Sequence, residues 1–124
     1  MVKLKRAYEE PEPSDGARYL VDRLWPRGVS KTDLKLQAWL KDVAPSDALR
    51  KWFHHDPDNW NEFRERYFGE LDANPDAWKP LTEAARHGIV TLVYSAQDVE
   101  HNNAAALAEY LARKISRSHV KGRA

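Results

Sequence analysis

Ile89-Val90-Thr91-Leu92-Val93-Tyr94, closed by Ser95, is a run of six uncharged residues in a chain of which 31% is charged. Its unbroken apolar character, with β-branched and aromatic side chains, predicts a strand buried on both faces. Such strands belong to parallel sheets flanked by helices. Immediately downstream, Ala104, Leu107, Ala108, Leu111 and Ile115 fall on one stripe of a helix predicted from about Asp98 to Ser116. Strand, loop and helix in this order make half of an α/β crossover unit. The fold class that follows is α/β.

Working back toward the N-terminus, Val2, Leu4, Arg6 and Tyr8 alternate with Lys3, Lys5 and Ala7. That period of two predicts a first strand. Arg6 sits on its apolar face and needs a partner, because burying an unpaired cation is costly. A second strand is predicted over Tyr19 to Trp25, ended by Pro26 and Gly28. Residues 32–43 suit either a short helix or irregular packing. Ser46 is a candidate N-cap for a helix carrying Leu49, Trp52 and Phe53. Asn59 and Glu62 read as a capping box opening a helix through Trp60, Phe63, Tyr67, Phe68 and Leu71. Asn74-Pro75 opens another that stops at Gly88, with Pro80 predicted to kink it or delay its start. No repeat, low-complexity tract or linker divides the chain. The expectation is one compact domain over residues 1–116, with a basic flexible tail at 117–124.

The bulk properties narrow the function classes. A chain of 124 residues suits one domain, burying roughly two thirds of its unfolded surface. The lack of cysteine removes disulfides, thiolate zinc sites and cysteine nucleophiles. No stretch reads as a signal peptide or a membrane span, so the predicted address is cytoplasmic, without a membrane partner. The net charge of +1 conceals an asymmetry. From Ala112 onward there are five basic residues and no acid, so the preceding body carries four more acids than bases. An acidic body argues against a broad nucleic-acid-binding face.

Two constellations carry the chemistry. Asp22-Arg23-Leu24-Trp25-Pro26-Arg27-Gly28 places two guanidiniums, a carboxylate and an indole where an apolar strand runs into a turn. Arginine offers a planar, permanently charged fork suited to phosphates and carboxylates. Arg6, Arg23 and Arg27 therefore read as an anion clamp, with Asp22 as internal partner and Trp25 available for stacking. The competing reading is a structural salt-bridge network in which acids saturate the arginines. The second constellation is Ser95, Asp98, His101 and Asn102, after the buried strand. In open α/β sheets ligands settle outside the carboxyl ends of strands. These residues read either as a helix cap alone or as a cap that also contacts a ligand. If the protein catalyses a reaction, His101 is the candidate general acid/base, its unperturbed pKa of about 6.5 lying near working pH.

Sharper alternatives find no support. No Gly-rich phosphate cradle follows a strand, so no nucleotide cofactor is predicted. Ser95 lacks the glycine-flanked elbow of a serine hydrolase. His54-His55-Asp56-Pro57-Asp58 has no i, i+4 histidine pair, and no metal is predicted. Capping of the Ser46 helix by His54 or His55 is the preferred reading there, although either could edge a pocket.

Lys5-Arg6-x-Tyr8, Ser14-Asp15-Gly16, the Asp22–Gly28 motif and Leu92-Val93-Tyr94-Ser95-Ala96 with Asp98 and His101-Asn102 together resemble the YeaO-like proteins. These form the bacterial and archaeal domain-of-unknown-function 488 family, and the resemblance runs from about Val2 to Leu111. It implies a three-layer, Rossmann-like α/β domain, its mostly parallel sheet flanked by helices, and it implies no established activity. Some relatives carry a MarR-type regulatory label, but no helix-turn-helix with a winged hairpin is legible here. More distant branches tend to hold a cysteine near the positions of Ser95 to Asn102. This chain departs from them there, and a thiol mechanism does not carry over. The functional expectation is a pocket for a small anion, phosphate or carboxylate, nucleotides included. The alternative is a nucleic-acid-associated or regulatory protein using the arginines and basic tail on phosphates.

Overall fold

The computed structural model describes the backbone of residues 1–123 and the side chains of residues 1–116. Four strands, β1 (Val2–Arg6), β2 (Ala17–Leu20), β3 (Ala38–Trp39) and β4 (Val90–Tyr94), form one sheet in the order β1-β4-β2-β3. Every pairing is parallel, with Leu4 opposite Leu92 and Leu20 opposite Val93. All five residues of β4 are buried, as the uncharged run requires of a strand with a neighbour on each side. Helices α1 (Lys31–Leu34), α2 (Asp47–Phe53), α3 (Trp60–Ala73), α4 (Pro75–His87) and α5 (Asn103–Arg123) complete the domain.

Alternation along β4 sends neighbouring side chains to opposite faces. Val90, Leu92 and Tyr94 join the main core, with Phe63, Tyr67 and Leu71 of α3, Leu81 of α4, and Leu107 and Leu111 of α5. Val93 turns the other way, onto a smaller cluster with Leu20, Ala7 and Leu34, sealed by Trp25, Val29, Leu36 and Trp39. The domain thus has α2–α5 over one face and the chain from Trp25 to Trp39 over the other. Gly16 makes the entry to β2 close-fitting. Its φ is 63°, and a Cβ there would stand 2.2 Å from the Ile89 carbonyl oxygen.

Several boundaries differ from those read in the sequence. The second strand is Ala17–Leu20, extended by one ladder bond from the Val21 N–H to the Val93 carbonyl at 3.1 Å. From Asp22 on, the chain leaves the sheet because its polar groups bond elsewhere: the Asp22 carbonyl accepts from Trp39 Nε1 at 2.7 Å. Residues 32–43 include the short edge strand β3, which neither sequence reading foresaw. The last helix starts at Asn103, not Asp98, because Asn102 is its cap, accepting the Ala105 N–H at 2.8 Å. Asn59 makes no side-chain cap for α3; a 3₁₀ turn over Pro57–Asn59 leads into that helix, capped by Asp56. Helix α4 begins at Pro75 and runs through Pro80. The carbonyl of Asp76 that Pro80 leaves free lies between two exposed residues, where water can satisfy it. Ser46 caps α2 as expected, accepting from the Leu49 N–H at 3.1 Å. The expected basic tail lies outside the residues whose side chains are described.

Candidate functional site

A cavity of about 310 Å³ opens at the carboxyl ends of β2 and β4. The segment from Asp22 to Arg27 makes one wall, and Ser95 with Ala96 makes another. Arg50 and Phe53 enter from α2, three residues apart and so on one helical face. Phe63 of α3 and Asn103 of α5 close the floor, with Tyr8 and His55 at the sides. The cavity lies where open α/β sheets generally take ligands, outside the carboxyl ends of the strands.

Asp22 is the carboxylate on this wall, and it is already engaged. Its Oδ2 accepts from the Ser95 N–H at 2.9 Å and the Ser95 hydroxyl at 2.8 Å. Its Oδ1 accepts from Asn103 Nδ2 at 3.1 Å. The acid therefore ties the end of β2 to the loop after β4 and to the start of α5.

Three guanidiniums share the wall, and they are far from saturated. Arg23 donates long bonds of 3.3 Å to the Pro45 and Ala44 carbonyls and stands 3.8 Å from exposed Asp47. Arg50 reaches the same Asp47 through Nη2 at 3.1 Å, while its Nε is buried without an acceptor. Arg27 is exposed and makes no ion pair or hydrogen bond with the described residues. Ion pairs as open as those to Asp47 add little.

The remaining predicted site residues hold the frame. Trp25 donates Nε1 to the Val29 carbonyl at 2.6 Å and sets its edge on Trp39, with ring centroids 5.3 Å apart. Arg6 finds the partner its position demands in two carbonyls, Ala96 at 2.9 Å and Ser95 at 3.3 Å. It fastens the loop after β4 and is not on the cavity wall. Asp98, His101 and Asn102 are not on the wall either. Asp98 folds this loop on itself. The N–H groups of His101 and Glu100 hold its carboxyl below the ordinary carboxylate range. His101 keeps Nδ1 3.0 Å from Asp98 and its ring edge-on to Trp60. Asn102, 1% exposed, donates to the Asp98 carbonyl and caps α5.

Sequence reasoning missed Arg50, which looked like one polar residue of a helix. Of the two histidines expected to cap the Ser46 helix or edge a pocket, His54 is the C-cap residue of α2, through its backbone N–H to the Arg50 carbonyl, and His55 lines the cavity. His54 and His55 both adopt left-handed backbone, at φ 46° and 54°. A non-glycine residue in that region is strained, and two in succession turn the chain sharply after α2, bringing His55 but not His54 to the wall. Among the described residues no cluster of His, Asp and Glu could hold a metal ion. No helix there is long and apolar enough to cross a membrane.

The profile described as "Inactive DUF488-N3 subclade" matches residues 1–124. The uncharacterized protein YeaO of Escherichia coli K12 is 46% identical over 110 residues, covering 89% of this chain and 96% of the relative. Counterparts from Mycobacterium tuberculosis and Mycobacterium bovis are 43% identical over 110 residues, covering 89% of this chain and 92% of theirs. No solved structure matches significantly. The chain, parallel sheet and arginine motif included, therefore belongs to the domain-of-unknown-function 488 family, in the branch described as its inactive N3 subclade.

Proposed function

We propose that the cavity at the carboxyl end of the sheet binds a small anion, phosphate or carboxylate, through Arg23, Arg27 and Arg50, and that the protein works by binding. The observation that carries this is the charge imbalance of the wall: three guanidiniums against one lining carboxylate that is itself occupied and one exposed carboxylate, Asp47, shared by Arg23 and Arg50. Arg27, exposed and without a partner among the described residues, adds to it.

Binding is favoured over catalysis for three reasons. The matching subclade is described as inactive, and the chain has no cysteine to serve as a nucleophile. His101, the candidate acid/base, is paired with Asp98 and is not on the cavity wall. Nucleic-acid binding is the contrasting reading, and a salt titration separates the two. A polyanion held by many phosphates loses affinity steeply with salt, whereas a single bound anion does so shallowly.

The test is the melting temperature of the full chain in inorganic phosphate from zero to tens of millimolar at constant ionic strength. Ligand binding only to the native state must raise it. The expected result is a rise of several degrees, lost in Arg50→Ala. A flat response would overturn the proposal.

A further inference from the structure

We propose that the ligand is a monophosphate ester bearing an aromatic ring, rather than inorganic phosphate or a carboxylate. The inference rests on the anion-site reading and adds the organic half of the molecule.

The first observation is where large apolar side chains remain in water. Tyr8 is 49% exposed and Leu24 60%, and both stand on the wall of the arginine-bearing cavity. A single exposed apolar side chain needs no explanation. Two on a polar hollow do, since a ligand with an apolar half would cover both. The second observation is the floor. Phe53 and Phe63 stack with centroids 4.3 Å apart, and the His55 ring stands 6.1 Å from Phe53. All three line the cavity. A planar ring entering it meets aromatic surface beneath and Tyr8 and Leu24 at the sides.

Size points the same way. At about 310 Å³ the cavity would hold on the order of ten waters at about 30 Å³ each. Inorganic phosphate fills a fraction of that space and leaves Tyr8 and Leu24 in water. A purely apolar guest would leave the guanidiniums of the wall without an anion. Donor count then selects among amphipathic anions. Three guanidiniums face Asp22 on the wall and Asp47 beside it, a surplus of one positive charge but of many N–H donors, and a phosphate monoester offers them three acceptor oxygens and about −1.5 to −2 charge at neutral pH. A carboxylate brings one charge and two oxygens.

Calorimetric titration of the full chain with phenyl phosphate, inorganic phosphate and benzoate decides the matter. Phenyl phosphate should bind at least tenfold more tightly than either of the others. Leu24→Ala and Tyr8→Ala, both at exposed positions that spare the fold, should each weaken phenyl phosphate about five-fold and leave inorganic phosphate unchanged. Equal affinity for phenyl phosphate and inorganic phosphate, benzoate binding as tightly as phenyl phosphate, or insensitivity to both substitutions would overturn the inference while the anion site stands. If neither phosphate compound binds, the anion site itself falls, and the inference with it.

Discussion

Two charged clusters sit on this sheet, and their different stoichiometry separates a structural role from a binding role. The first joins Lys5, Glu12, Asp15 and Arg18. Asp15 accepts from Arg18 Nη1 at 2.7 Å, Lys5 Nζ at 3.1 Å and the Glu12 N–H at 3.0 Å. Lys5 adds Glu12 at 2.7 Å, and Arg18 Nε donates to the Leu34 carbonyl at 3.0 Å. Two cations face two carboxylates, and both Asp15 and Arg18 are buried, with Arg18 Nη2 left without a partner. The second cluster has three guanidiniums on a cavity wall around the engaged Asp22, with the exposed Asp47 shared by two of them. Arginines near acids are the raw material of both; only the count of acids available to each arginine tells a closed lock from an open clamp.

The comparison breaks first at the lock. Removing one partner of a buried ion pair strands the other and costs about 3–5 kcal/mol. Arg18→Ala should therefore lower the free energy of unfolding by that amount in urea denaturation. The lock also has a pH signature. Burial works against the Asp15 charge, but the Glu12 N–H, Lys5 and Arg18 outweigh it and hold the carboxyl below its ordinary value. With a depressed folded-state pKa, the unfolded chain binds the proton first. The stabilisation is complete above the unfolded value of about 4 and is lost as pH falls below it toward the folded value. Asp15→Asn should flatten that acid limb. An unchanged acid limb would show that the cluster is not a lock.

How much of this was legible in the sequence depended on whether the signal was local. The uncharged run at 89–94 announced a buried parallel strand because burial on both faces leaves no room for charge, although the strand begins at Val90 and Ile89 is exposed. Ser46 announced α2 because a cap is chemistry between residues three apart. Strand β3 was illegible: two residues on a sheet edge carry no period, and tertiary pairing with β2 decides them. The arginine motif was legible as chemistry, but its geometry was not. Arg6 and Arg23 look equivalent in the chain and each bonds two carbonyls, yet only Arg23 lies on the cavity wall. Arg50 had no motif to mark it, since only the fold brings α2 to the end of β4. His101 shows the converse: a residue well suited to chemistry by type, paired with Asp98 and not on the cavity wall.

A smaller effect sharpens the contrast from the clamp's side. The successive left-handed residues His54 and His55 store strain of roughly 1–2 kcal/mol each. Glycine relieves it but makes the unfolded chain freer, at about 0.5–1 kcal/mol. His54→Gly should thus raise stability by about 1 kcal/mol in urea denaturation while leaving phosphate affinity unchanged, because His54 is off the wall. A loss of stability there would mean that the turn is held by the His54 side chain, and the strain argument would fail.

The smallest expected change in stability is also the most telling. Arg27 is exposed and has no partner among the described residues, so Arg27→Ala should move the free energy of unfolding by no more than about 0.5 kcal/mol, as for other surface positions. In the same protein the rise in melting temperature produced by phosphate should largely disappear. The lock and the clamp then respond oppositely. Arg18→Ala spoils the fold, and Arg27→Ala spares the fold but not the ligand response. If Arg27→Ala instead cost several kcal/mol, its guanidinium would be holding structure through a contact that the geometry does not contain. The arginine motif would then be a second lock. If both stability and phosphate response survived the substitution, Arg23 and Arg50 would be enough to hold the anion, and the clamp would be smaller than three arginines. Measuring unfolding and ligand shift on one variant separates these outcomes, because a structural arginine and a binding arginine cannot give the same pair of values.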